Sequence, residues 1–324
     1  MTLDLVSTII PVYNRPERLR EAVASVLAQA WKSIEILIVD DGSTDDGATL
    51  AAAQALAGDH PDVVRVFSQL NAGPGAAREL GRQHARGEFI QYLDSDDLLL
   101  PGKFSAQVQG LRDDPEAGIS YGLTLAQDMS TGDERPTHGT DVPHPSLLPT
   151  LWAERVWHTS TPLYRRSVTD AIGPWRARRI LEDWDYDLRA GLLGVRLHYV
   201  AQPVAIARTH GGDHAGLAWQ RDARALADRV QAYLDAAALA RQAGVSHATP
   251  ELLRLGRTLF WMAREAGALG LATEAKSLYL EARRILGDNP ETSRGLGLYG
   301  VVATLLGWTR AGRLSRTFDH LRRT

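Results

Sequence analysis

The chain has 324 residues, 44% hydrophobic and 23% charged, with a formal net charge of −3 and no cysteine. That length holds one large domain with an extension, or two domains. The charge excludes an overall basic field that would hold nucleic acid, and the missing cysteines exclude disulfides and thiolate metal sites, which fits a reducing compartment.

The opening MTLDLVSTIIPVYN lacks a basic start and reads as a first strand over 5–12, not as a signal peptide. Residues 16–28 have helical spacing, with Leu19, Val23, Val26 and Leu27 on one side. IEILIVD (34–40) is a second buried strand, and Asp45 or Asp46 can cap a helix running to 56. A third strand is expected over 63–67, a helix over 75–85 and a fourth strand over 88–93. Alternation of this kind, with near-continuous apolar strands, predicts an α/β fold with a mostly parallel central sheet flanked by helices. From about 119 the rhythm changes: a strand at 121–126, a polar loop at 128–146, a strand-like run at 158–164, a helix ending at Ile172, a helix over 181–193, and short strands at 195–200 and 204–207. After about 216 the pattern is helical, with one apolar face on Leu226, Val230, Tyr233 and Leu234, and another on Ala275, Leu278, Tyr279, Ala282 and Leu286. These helices are expected to pack on the preceding domain; a single helical hairpin around 267–270 makes no repeat array.

Ligands of open parallel sheets bind beyond the carboxyl ends of strands. Three such ends carry polar groups: Pro11-Val12-Tyr13-Asn14, Asp40-Asp41-Gly42-Ser43 and Asp94-Ser95-Asp96-Asp97. In extended chain Asp94 and Asp96 face the same way. Two close carboxylates repel unless a cation separates them or one keeps its proton, and oxygen ligands suit Mg²⁺ or Mn²⁺. The bland alternative is an acidic helix cap at Asp97. Asp40 and Asp41 can form a capped turn or accept from a base N–H, and Tyr13 offers an aromatic face for a base or a cover for the sheet edge. Glycines in Asn71–Gly75 allow close approach of backbone to a ligand, and Arg78 can pair with phosphate. No dinucleotide fingerprint is present. Glu182-Asp183-Trp184-Asp185-Tyr186-Asp187 suits a helix start; Asp183 and Asp187 share a face, a carboxylate there can act as general base on a hydroxyl, and Trp184 can offer a platform to a sugar ring. His210, beside glycines and near Arg208, is a candidate for metal or diphosphate contact.

Taken together, STIIPVYNRPERLREAVASVLAQ, IEILIVDDGSTDD, NAGPGAARELGRQHARGEFIQYLDSDD, TSTPLYRRSVTDAIGPW, LEDWDYDLR and RTHGG resemble the family-2 glycosyltransferases of the GT-A fold, in order and spacing from Val6 to about Gly212. The resemblance implies a GT-A type nucleotide-binding domain over 1–216 (nucleotide-binding half 1–118, acceptor half 119–216) and an α-helical C-terminal extension over 217–324. It implies an inverting, metal-dependent transfer from a nucleotide-diphosphate sugar, most often a UDP-sugar, to a hydroxyl in glycan, polysaccharide or glycolipid synthesis. Pro11, Tyr13, Asp40 and Asp41 would hold the base; Arg78 the nucleotide or its phosphates; Asp96 a Mn²⁺ or Mg²⁺ ion, with Asp94 nearer the ribose or a metal-bound water; His210 would lie near metal and diphosphate. Asp183, from the Glu182-Asp183 pair, would be the catalytic base. Glu79 departs from the Asn that the family often has after the arginine.

The competing readings are a sugar-nucleotide pyrophosphorylase, which needs a glycine-rich basic loop that PVYNRPERL lacks, and a non-catalytic nucleotide-sugar or glycan binding module, which predicts loss of the base or metal residues. A cytoplasmic protein is expected. No apolar run reaches the ~18 residues of a membrane span; the longest, 296–308, is followed by Arg310, Arg313, Arg316, Arg322 and Arg323. That segment suits either peripheral contact with an anionic membrane face or a last helix packed on the core with a solvated basic end.

Overall fold

A computed structural model describes residues 2–209, 223–287 and 290–321. The chain divides into two compact units, Met1–Leu147 with Arg155–Arg221, and Leu148–Glu154 with Asp222–Thr324. The sequence boundary expected near 216, like His210, lies outside the described residues.

The first unit is built on β1 (Thr2–Val12), α1 (Pro16–Leu27), β2 (Ile34–Asp40), α2 (Ala48–Asp59), β3 (Val64–Ser68), α3 (Pro74–His84) and β4 (Gly87–Tyr92), followed by β5 (Leu98–Leu99), α4 (Lys103–Asp113), β6 (Ala117–Asp128), β7 (Glu134–Pro136), β8 (Leu163–Arg165), α5 (Arg166–Ile172), α6 (Glu182–Leu192) and β9 (Arg196–Thr209). The strands form one sheet in the order β3-β2-β1-β4-β8-β6-β9-β5, with β7 on β6. β3, β2, β1 and β4 run parallel, whereas β8 joins β4 and β6 antiparallel. The sheet is therefore mixed beyond β4. Ile9, Ile10, Ile36, Leu37 and Ile38 are wholly buried, as central strands covered on both faces require, and each is worth roughly 1.5–3 kcal/mol. Pro16 opens α1, where its missing N–H costs nothing, and Leu19, Ala22, Val23 and Val26 bury its inner face. Asp45 caps α2 by accepting the Thr49 N–H at 3.1 Å.

Three expectations need correction. Residues 158–162 form turns, and β8 is only three residues long. The two short strands expected at 195–200 and 204–207 are one strand, β9; Pro203 produces shifts in register against Gly122–Thr124 without breaking it. Asp97 caps no helix, because Leu98 and Leu99 pair with Ile206 and Ala205 in the sheet. The helix that follows, α4, begins at Lys103.

Among the described residues the second unit contains a 3₁₀ turn (Thr150–Trp152) and five helices, α7 (Ala223–Gln242), α8 (Pro250–Ala268), α9 (Ala272–Leu286), α10 (Pro290–Leu306) and α11 (Trp308–Leu321). Leu252, Leu255, Leu259 and Met262 of α8 and Ala275, Leu278, Tyr279 and Ala282 of α9 are buried. The last segment is buried on one side only. Leu296, Tyr299 and Ala303 point inward, but Leu298, Val301, Leu305, Leu314 and Phe318 are exposed. No described helix is long and apolar enough to cross a membrane.

Candidate active site

A cavity of about 700 Å³ opens in the first unit where the ends of β1, β2 and β4 meet the start of α6 and the end of β9. That volume is in the range of small-molecule sites. One wall is Pro11, Val12, Tyr13 and Asp41. The loops behind it interlock: the Thr44 N–H donates to Asn14 Oδ1 at 2.7 Å, and the Asn14 N–H to Ser43 Oγ at 3.0 Å. Tyr13 is 42% exposed and presents an open ring. Asp41 is buried, and its carboxylate accepts from Gln69 Nε2 (2.7 Å), the Ala72 N–H (2.9 Å) and the Gly73 N–H (2.9 Å). A carboxylate has about four acceptor positions, so one is left toward the cavity. Asp40 is outside the lining and accepts the Ser43 N–H across its own turn.

The glycines of Asn71–Gly75 serve a different end from the one expected. Gly73 has φ +93°, and a Cβ there would meet the Arg178 carbonyl oxygen at 2.8 Å; at Gly75 one would meet that of Arg176 at 2.1 Å. They admit the backbone of 176–178, which leads into α6, not a ligand.

Arg78 joins the walls. Its guanidinium donates to Glu182 Oε1 at 2.7 Å and Asp94 Oδ1 at 2.6 Å, and lies 4.8 Å over the Trp175 ring. Burial works against its charge, but Asp94 and Glu182 outweigh burial and hold it protonated. Glu79 faces away, paired with Arg82 and accepting the Trp175 N–H. Beyond β4, Asp94 and Asp96 both line the cavity, their side chains 33% and 19% exposed. Asp96 is paired with Arg15. Asp97 is buried, accepting from Ser160 Oγ at 2.7 Å and the Arg208 N–H at 3.1 Å. Burial, with the charges of Asp94 and Asp96, pushes its carboxyl well above the usual range.

Leu181 adopts φ +59°, a left-handed conformation uncommon for a branched residue, immediately before α6. It thereby turns Glu182 and Asp183 into the cavity. Burial and the neighbouring Asp183 charge push the Glu182 carboxyl up despite Arg78. Asp183 is the reverse: burial opposes its charge, yet Arg155 and Arg78 outweigh burial and hold it below the usual range. Trp184 is only 4% exposed and does not line the cavity, so it presents no platform there.

Sequence reasoning missed Arg15, Arg155 and His158, all in the lining. Burial and the Arg155 charge lower the His158 pKa. Arg15 sits at a strand end, which was a usable signal; Arg155 and His158 lie in irregular chain with none. Among the described residues no group of three or more His, Asp or Glu forms a ready-made metal cage. Asp94 and Asp96 nevertheless fit Mg²⁺ or Mn²⁺, which take one or two carboxylates and complete their shell with phosphate oxygens and water. Among the described residues, six carboxyl and five guanidinium groups line the cavity. A bound diphosphate would bring about two further negative charges to it, which a divalent ion offsets.

The model for glycosyl transferase family 2 matches residues 7–181. A curated relative from Nostoc sp., an uncharacterized glycosyltransferase, is 34% identical over 176 residues, 52% of this chain and 53% of that protein. The chain spans smaller shares still of the Rickettsia relatives it matches. Among solved structures, S. aureus TarS 1-349 in complex with UDP-GlcNAc is 20% identical with a TM-score of 0.66, over 96% of this chain and 88% of that one. The mannosyltransferase PcManGT from Pyrobaculum calidifontis, in complex with GDP-Man and Mn²⁺, is 19% identical with a TM-score of 0.55, over 97% and 87%. These likenesses show the GT-A fold. With its matched region covering more than half of the 324 residues, the chain belongs to glycosyl transferase family 2.

Proposed function

We propose that this chain transfers a glycosyl group, with inversion, from a nucleotide-diphosphate sugar, a UDP-sugar in the first instance, to a hydroxyl of a glycan, polysaccharide or lipid-linked acceptor. The observation that carries the reading is the convergence of Asp94 and Asp96 beyond β4 with Asp183 at the start of α6 on one cavity of about 700 Å³. The complexes of TarS with UDP-GlcNAc and of PcManGT with GDP-Man and Mn²⁺ support it.

Tyr13, Pro11 and the remaining acceptor position of Asp41 receive the base. Arg78 faces the phosphates from its anchorage on Asp94 and Glu182. Asp96, with Asp94, would hold Mn²⁺ or Mg²⁺; His210 joins this proposal on sequence grounds alone. Bound there, the ion supplies Lewis-acid stabilisation of the leaving diphosphate. Asp183, held ionised, accepts the proton of the acceptor hydroxyl as that oxygen bonds to the anomeric carbon and the carbon–oxygen bond to the diphosphate breaks. We place the reaction at the cytoplasmic side of a membrane. Exposed Leu298, Val301, Leu305 and Phe318 in the helical unit, with Arg310 and Arg313 in the same stretch of sequence, suit an anionic lipid surface.

A panel of UDP- and GDP-sugars with Mn²⁺, read by nucleotide release, tests the activity. Asp183→Asn is expected to stop transfer and keep donor binding; undiminished turnover in that variant refutes the base assignment. Flotation with phosphatidylglycerol vesicles is expected to carry the full chain but not a form with Leu298, Leu305 and Phe318 changed to Ser. Equal flotation of the two refutes the lipid contact.

A further inference from the structure

Arg155 is bolted to one carboxylate and offered to another. Its Nε and one terminal nitrogen donate to Asp187 Oδ2 at 3.3 and 3.1 Å, while the other terminal nitrogen donates to Asp183 Oδ2 at 2.5 Å. The second oxygen of Asp187 accepts from the Tyr164 hydroxyl at 3.2 Å. Asp183 and Asp187 stand one turn apart on α6, so a single planar fork can span both. The anchor is dry, with the Asp187 side chain 3% exposed, while Asp183 is 21% exposed at the cavity.

We propose that Arg155, steadied by Asp187 and Tyr164, is a positioning residue that sets both the orientation and the proton affinity of Asp183. The inference rests on the reading of Asp183 as the base. Two carboxylates share one guanidinium, so the cluster carries one net negative charge before Asp183 takes a proton and none after. Arg155 alone would make Asp183 a poor base by holding it ionised. Asp187 draws part of that charge away and restores basicity. When Asp183 is protonated, Arg155 stays fully paired with Asp187, so no buried guanidinium is stranded at that moment. Among the described residues, the other charged or titratable groups acting on Asp183 are Arg78 from α3, His158 and the adjacent Glu182, with Asp94 after β4 acting on His158. None of them touches Asp187 in this way. Lysine cannot replace the arginine fully, because a point ammonium cannot span two carboxylates in fixed geometry.

The test is a carboxyl ¹³C NMR titration of the full chain labelled at aspartate, with the Asp183 signal assigned by its loss in Asp183→Asn. In Arg155→Met the Asp183 midpoint is expected to rise by ~1 to 3 pH units, the usual effect of removing an adjacent opposite charge. In Asp187→Asn it is expected to fall. The two opposed shifts separate an electrostatic role from simple loss of structure, which would expose Asp183 and move both the same way. Arg155→Lys, the gentler change, is expected to keep the midpoint near the parent's while lowering turnover at least tenfold. Midpoints unmoved, or moved in one direction in both charge variants, overturn the proposal. The pH dependence of UDP release from UDP-GlcNAc with Mn²⁺ is then compared. If the midpoints move as expected and the acid limb of the rate does not follow, Asp183 is not the base, while its control by Arg155 stands.

Discussion

Replacing Asp41 with Asn changes one atom type and should cost far more than the change suggests. The carboxylate takes two donors on Oδ1, from Gln69 and the Ala72 N–H, and one on Oδ2, from the Gly73 N–H. An amide can keep its oxygen toward the first pair only by aiming its own N–H₂ at the Gly73 N–H. That buried donor is then orphaned, which costs about 1–3 kcal/mol. The two surviving bonds lose their charge assistance, worth roughly 1 kcal/mol each. The expected loss is therefore about 3–5 kcal/mol. It falls on the loop that carries α3 and Arg78 to the cavity, so donor affinity should drop as well. Because the chain has two compact units, a single global unfolding curve is not a clean measure. Native-state hydrogen exchange resolved to peptides of β1, β2 and 69–84 reports the first unit alone. A D41N chain within about 0.5 kcal/mol of the parent, with unchanged protection of 72–73, would show that these three bonds do not hold the loop.

Gly75→Ala should destabilise the first unit by ~1–3 kcal/mol, since its Cβ would have to push back the Arg176 carbonyl and with it the approach to α6; lowered hydrogen-exchange protection of the first unit together with lost transfer checks it. The raised pKa of Asp97 has a pH signature. Its contribution to stability is fully present below the ordinary carboxylate value and is lost as pH rises through its folded value, so metal-free D97N should be more stable than the parent at pH 8 and lose that advantage toward pH 4, read by thermal unfolding across pH. Mn²⁺ with UDP should raise the unfolding temperature of the parent and not of D96A; an equal rise in both would remove Asp96 from the metal site.

Much of the first unit was legible because its inner strands are unbroken runs of Val, Ile and Leu, which only a sheet covered on both faces buries; β2 fell at its exact bounds. The acidic groups at the ends of β4 and before α6 were legible for a related reason, since a polar cluster directly after a buried strand has few other uses. α4 was missed because Lys103 and Gln107 occupy its buried face and interrupt the stripe of Phe104, Val108 and Leu111. Both side chains donate to carbonyls out of sight of the sequence, Lys103 to Thr161 and Gln107 to Thr161 and Ser120. β9 was read as two strands because Pro203 looks like a stop, yet its missing N–H is absorbed by a shift in register. Arg155 had no local pattern at all: its meaning lies in two aspartates 28 and 32 residues away. Trp184 was misjudged because an aromatic in an acidic run looks like a surface feature, and helical geometry turned it inward.

The segment Leu148–Glu154 belongs to the helical unit although the chain on both sides of it belongs to the other. Leu151 and Trp152, the apolar pair of its 3₁₀ turn, are almost wholly buried, and that turn lies against α8. No single cut can therefore separate the halves. A chain stopped after 221 would keep this short tab and lose the helices that shelter it, leaving a tryptophan and a leucine bare in the middle of an otherwise intact fold. Such a fragment should cling to its own copies, whereas one that also trades Leu151 and Trp152 for polar residues should stay dispersed.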